Sequence, residues 1–168
     1  MSKVLVVYST KSGCTEGVAK RIGAALACKP DASVEVVPAE EAPAAEDYDA
    51  VVVGSGIRVG QWHETARTWV SDNAAALRQV PVAFYTVGLM ITNGAEKLPE
   101  VAAYAAPVAE AAGITPIDTG LFAGWNQPGS FPLVERLVLK AMKAPVGDFR
   151  DWDAIDSWAE KVAPRLVA

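Results

Sequence analysis

A chain of 168 residues, about half of them apolar, with 20 acidic and 15 basic side chains, holds enough material for one domain with a full core. Its formal charge of −5 argues against a general nucleic-acid binder, which needs a basic face, and is mild for a carrier that docks on basic partners by charge alone. No apolar run approaches the roughly 18 to 20 residues that span a bilayer, and Met1-Ser2-Lys3 runs straight into a strand without a signal peptide, so a cytoplasmic protein is expected.

Lys3 to Tyr8 is a short β-rich run suited to burial on both faces of a parallel sheet. It ends in Ser9-Thr10-Lys11-Ser12-Gly13-Cys14-Thr15, and a helix follows to about Cys28 with Val18, Ile22, Ala25 and Leu26 at helical spacing. Helix N-termini expose unpaired N–H groups at the positive end of the helix dipole, so this turn is an anion cradle. Ser9, Thr10, Ser12 and Thr15 add hydroxyl donors, and Gly13 lets backbone approach the anion closely. Neither GxxxxGK[ST] nor GxGxxG is present. A loop of hydroxyls and amides with no obligatory lysine suits a monophosphate that stays bound and is never transferred, and flavin mononucleotide (FMN) is such a ligand. Cys14 and Cys28 stand about 21 Å apart along one helix, too far for a disulfide. One histidine and two distant cysteines argue against a structural zinc site. Cys14 lies where a low thiol pKa is plausible, though a small residue tolerated in a tight turn is the better reading.

Ser33 to Val37 reads as a second strand, residues 40–46 as an acidic, Ala/Pro-rich connection, and Ala50 to Ser55 as a third strand. The loop Gly54 to His63 follows. Its glycines allow backbone to lie beside a planar ring, and Trp62 offers an aromatic face for stacking; packing in the core is the alternative. Arg58 is a candidate to neutralise an anionic ring or a substrate carboxylate. His63, the only histidine, has the pKa class to relay a proton, though a solvent-facing place near a helix start is the better reading.

A helix from about Glu64 to Leu77 leads to a fourth strand from Val82 to Val87, then to the loop Thr86 to Gly94. There Leu89 and Met90 either pack or face the site, and backbone amides near Thr86 to Leu89 can bond a pyrimidine edge. An Ala-rich helix over 98–112 ends at Gly113, and Ile114 to Ala123 holds the fifth strand. After the loop Gly124 to Ser130, residues 131–143 form an amphipathic helix with Arg136, Lys140 and Lys143 along one edge; docking on the domain, lying on a membrane and receiving a partner all suit it. Residues 133–150 carry four basic and two acidic side chains, the reverse of the whole chain's sign. Asp151 caps a final helix whose stripe is Ile155, Trp158, Ala159, Val162 and Leu166. Strands alternating with helices give a single α/β domain, a doubly wound parallel sheet with helices on both faces. Ligands then sit beyond the carboxyl ends of the strands, where the strand order reverses.

Val6, Val7, Tyr8, Thr10, Gly13, Thr15 and Ala19 fill every fixed position of the flavodoxin signature, and the chain resembles the flavodoxin superfamily. The resemblance implies five strands in the order 2-1-3-4-5 and a cofactor site made by Ser9 to Thr15, by Ser55, Gly56, Ile57, Arg58 and Trp62, and by Thr86, Val87, Gly88 and Leu89. With Gly54 to His63, Phe122-Ala123-Gly124, the basic amphipathic helix and Phe149 to Ile155, the chain is similar to the menaquinone-dependent protoporphyrinogen oxidase branch. That implies FMN, a reduced tetrapyrrole donor and a quinone or other redox partner. Contact with the inner face of the membrane, where the 131–143 helix makes it, is one of that helix's own readings. Trp62, Met90 and Trp125 would bound the substrate space, and Trp125 would also touch the cofactor. A flavodoxin-type electron carrier with no substrate of its own is the alternative.

Overall fold

The computed structural model describes residues 1–93, 95–127 and 129–168. Gly94 and Pro128, in two of the loops expected at the site, lie outside the described residues. In chain order the elements are β1 (Ser2–Ser9), α1 (Cys14–Ala27), β2 (Ala32–Pro38), β3 (Ala50–Arg58), β4 (Gln61–Trp62), α2 (Glu64–Asp72), α3 (Ala74–Leu77), β5 (Val82–Gly88), α4 (Leu98–Ala102), α5 (Ala106–Ala112), β6 (Thr119–Ala123), β7 (Trp125–Asn126), α6 (Leu133–Ala141), β8 (Gly147–Asp148) and α7 (Trp152–Leu166).

Five parallel strands form the central sheet in the order β2-β1-β3-β5-β6, with β4 folded back on β3. Without that short return strand, this is the expected order 2-1-3-4-5. β1 reads apolar at every position from Val4 to Tyr8 because both its faces are covered. Val4, Val6 and Tyr8 join the core beneath α1 and α7, while Leu5 and Val7 join the core beneath α2 and α5. Each fully buried aliphatic side chain contributes about 1.5 to 3 kcal/mol. In the centre of the sheet, Gly54 pairs with Tyr8 on one side and Tyr85 on the other. A Cβ at Gly54 would lie 1.8 Å from Tyr85 Cζ, so the ring fits only over a glycine.

Three helices depart from the expected spans. The helix expected over 64–77 breaks at Asn73, whose side-chain oxygen accepts from Ala45 N while its amide donates to the Trp69 carbonyl. That local competition ends α2 and starts α3. The 98–112 helix divides into α4 and α5, with Pro107 in the first turn of α5, where its missing N–H does no harm. Gly113, at φ 66°, caps α5 as expected. The helix after the fifth strand, α6, is shorter than 131–143 and buries none of its residues. α7 matches its reading, with Asp151 accepting from Ala154 N and the whole Ile155 to Leu166 stripe buried.

Candidate functional site

The loop between β1 and α1 has the features an oxyanion needs. Gly13, at φ 85°, is the N-cap of α1, and no side chain caps that helix, so first-turn N–H groups face outward. Gly13 N–H donates to Thr10 Oγ1 at 3.0 Å, and Trp125 Nε1 donates to Ser12 Oγ at 3.0 Å. A hydroxyl that accepts from the protein keeps its own proton to donate. Thr10 and Ser12 are therefore held as donors at the cradle, Lys11 is exposed beside them, and Thr15 is 2% exposed in the first turn. Ser9 serves the scaffold instead, because its hydroxyl bonds Thr65 of α2 and ties the end of β1 to that helix.

The loop expected after the third strand is a β-hairpin. Val59 and Gly60, at φ 51° and 68°, make the two-residue turn with positive φ that right-twisted strands require, pairing Ile57 with Trp62 and Arg58 with Gln61. Glycine adopts such a φ freely, whereas a β-branched residue there is strained. The hairpin corrects the stacking role expected of Trp62. Its return strand turns the indole inward, 1% exposed, against Phe84 at 4.9 Å between centroids. Burial of that large ring is permitted because Trp62 Nε1 donates to Thr86 Oγ1 at 2.9 Å. Thr86 is fully buried, so what it offers a ligand at the strand end is backbone. Ser55 is occupied as well: its hydroxyl accepts from His63 N at 2.9 Å and donates to the Gly56 carbonyl at 2.7 Å.

His63 opens α2 and is 7% exposed, which corrects the solvent-facing reading. Burial, with the positive fields of Lys11 and Arg58, pulls its pKa down to about 4, so near neutrality the imidazole is uncharged. Its ring lies over Gly56: a Cβ on that glycine would sit 2.9 Å from His63 Nε2 and 3.4 Å from Thr15 Oγ1. Glycine is needed there because a larger residue would run into the imidazole.

Gly88, Leu89 and Met90 are half-buried at the end of β5. A Cβ at Gly88 would come within 2.9 Å of Ile57 Cδ1, so Ile57 leans across from the hairpin. Val87 is buried beneath Gly124. The Met90 thioether Sδ accepts from Tyr104 Oη at 3.6 Å, which draws that side chain toward the segment after α4. Trp125 is half-buried, and its ring edge lies 3.6 Å from where a Gly13 Cβ would be.

Behind Trp125, the Arg150 guanidinium lies between two indoles, 4.3 Å from the Trp125 centroid and 4.6 Å from that of Trp152. It also forms a two-pronged pair with Asp148. Arg150 Nη1 reaches the Cys14 carbonyl at 3.5 Å, so the clamp grips the start of α1. Cys14 itself is 5% exposed, and burial pushes its thiol up to about 11; it is a packed, protonated thiol. Arg58 is exposed and pairs with Glu135 of α6 at 3.0 Å, which turns it from the cradle toward that helix.

A flavodoxin-domain family model matches residues 5–153. The chain belongs to this flavodoxin-domain family. A protoporphyrinogen IX dehydrogenase [quinone] of Escherichia coli (strain K12) is 28% identical over 96% of this chain and 94% of its own length. Among solved structures, oxidised Flavodoxin 1 from Bacillus cereus superposes with a TM-score of 0.58 at 15% identity, covering 98% of this chain and 99% of that one. A flavoprotein in complex with FMN from Lactobacillus acidophilus gives 0.52 at 14% identity, covering 72% and 93%. At such identities the structural matches speak for the fold.

In this flavodoxin domain, α6 and its C-cap project Leu133, Val134, Leu137, Val138 and Met142 at 52 to 72% exposure, and Val59 on the hairpin tip is 93% exposed. No helix among the described residues is long and apolar enough to cross a membrane. Two contributors escaped the sequence reading. Arg150 carried a visible signal, standing within Phe149-Arg150-Asp151-Trp152, but its place between the tryptophans depends on contacts far apart in sequence. Thr65, the partner of Ser9, carried none.

Proposed function

We propose that this flavodoxin domain binds FMN and acts as an oxidoreductase, taking electrons from protoporphyrinogen or a similar reduced donor and passing them to a quinone. The observation that carries the reading is the uncapped start of α1, where Thr10 and Ser12 are fixed as hydroxyl donors around a left-handed Gly13. The residues present fit the FMN phosphate: outward-facing amides at the uncapped start of α1, and the Thr10 and Ser12 hydroxyls held as donors. Thr10 through Thr15 hold the phosphate end. Gly56, Ile57 and the backbone of Thr86 to Leu89 border the ring, with Trp125 closing the side over Ser12. Bound FMN would supply reversible one- and two-electron chemistry, while the protein orients it and excludes water. The donor and acceptor classes follow from the name of the Escherichia coli relative, which aligns over nearly the full length of both chains.

In this reading the protein works in the cytoplasm at the inner face of the membrane. The exposed apolar face of α6, edged by Arg136, Lys140 and Lys143, supports contact with an anionic bilayer. The test uses photoreduced holoprotein under anaerobic conditions. Rapid reoxidation by a menaquinone analogue is expected, faster with anionic vesicles than without. Slow quinone reoxidation beside rapid exchange with a ferredoxin-type partner would instead identify an electron carrier.

A further inference from the structure

We infer that His63 donates a hydrogen bond from Nε2 to the FMN phosphate, so that the hairpin as well as the α1 loop recognises the anion. The inference rests on the FMN reading above. His63 Nδ1 is enclosed in the protein and has no hydrogen-bond partner among the described residues. A buried N–H without an acceptor is a costlier orphan than a bare lone pair, so the single proton of the neutral ring belongs on Nε2. That nitrogen packs against Gly56, on the side of the glycine where Thr15 Oγ1, in the uncapped first turn of α1, also stands.

The groups around the ring favour the same partner. Lys11 from the α1 loop and Arg58 from the hairpin put positive charge near His63, opposed more weakly by Glu40. Nearby positive charge of this kind favours an anion. The backbone that carries the ring is also fixed before any ligand arrives: His63 N–H is held by Ser55 Oγ, and the His63 carbonyl accepts from Arg67 N in the first turn of α2. A donor held in place in this way loses little freedom when it binds.

Two measurements test the inference. Because the chain has one histidine, the long-range ¹H–¹⁵N spectrum of the wild type reports His63 alone. It should show the Nε2–H tautomer, with the Nε2 signals moving when FMN is added and much less when riboflavin, which lacks the phosphate, is added. Dissociation constants are then compared by flavin fluorescence. His63→Phe should weaken FMN by about tenfold or more, the scale of one hydrogen bond to a charged acceptor, with riboflavin affinity unchanged. His63→Gln, which keeps an N–H donor, should recover most of the loss. Equal weakening of FMN and riboflavin, no weakening of either, or an Nδ1–H tautomer would overturn the inference while leaving FMN as the ligand. Failure of the wild type to bind FMN would overturn both. If His63→Phe does not fold, the wild-type spectra and the Gln variant still decide.

Discussion

Arg150→Ala removes a guanidinium stacked between Trp125 and Trp152 at 4.3 and 4.6 Å and paired with Asp148 at 2.7 Å. The Arg150 side chain is only 10% exposed, so each stacking contact belongs near the desolvated end of its range, about 1 to 2 kcal/mol. Asp148 is 36% exposed, and solvent screening limits that pair to about 1 kcal/mol or less. Together the losses come to about 3 kcal/mol, which for a chain of this size lowers Tm by about 6 to 12 °C. Circular-dichroism melts of the wild type, Arg150→Ala and Arg150→Lys measure it. Lysine keeps the charge without the flat stacking surface and should recover less than half of the difference. Without its backing, Trp125 orients Ser12 less firmly, so FMN affinity should fall by about three- to tenfold, the scale of one weakened hydrogen bond. An Arg150→Ala melt close to that of the wild type would refute the view that this clamp holds the start of α1.

His63 adds a pH dependence. Its folded pKa of about 4 lies below the unfolded value of about 6.5, so between those values the unfolded chain binds more protons. Stability therefore falls as pH drops through that window, by up to about 3 kcal/mol, and urea titrations of His63→Gln should show a flatter profile there. Arg150 holds the Asp148 carboxyl below its ordinary value; its contribution is present above the unfolded carboxylate pKa and is lost as pH falls through the lower folded one. Asp148→Asn should accordingly remove acid sensitivity only below about pH 4, leaving the His63 window intact. Gly54→Ala places a Cβ 1.8 Å from a fully buried Tyr85 ring, and overpacking of this kind costs about 3 kcal/mol or more, visible as loss of soluble folded protein or a much lower Tm. Thr10→Val deletes the acceptor for Gly13 N–H and a donor at the cradle, so calorimetry should find FMN binding weaker by about 1 to 3 kcal/mol.

The parts of this fold that could be read from sequence are those governed by near neighbours. The Val4 to Tyr8 run, the hydroxyl turn before α1 and the Ile155 to Leu166 stripe each state their environment within a few residues. What could not be read depends on contacts across the fold. Asn73 breaks a helix because Ala45, far upstream, offers it an N–H. Trp62 turns into the core because its N–H finds Thr86, and because Val59 accepts a positive φ that its β-branched side chain disfavours. The glycines between Gly54 and Gly60 suit backbone beside a planar ring, yet two of them serve packing: Gly54 makes room for Tyr85 and Gly56 for His63. The candidate hydroxyls are neighbours, as their spacing implied, but the sequence does not divide them by role. Ser9 and Ser55 are engaged in holding the scaffold, whereas Thr10 and Ser12 are held with protons to offer.

FMN binding at the α1 loop is tested most directly by the visible spectrum of the purified protein, followed by titration of the flavin-free form with FMN. Co-purification of a flavin chromophore identified as FMN by mass spectrometry, and rebinding of FMN much tighter than riboflavin, is the expected result. A colourless protein that binds FMN no tighter than millimolar would contradict it.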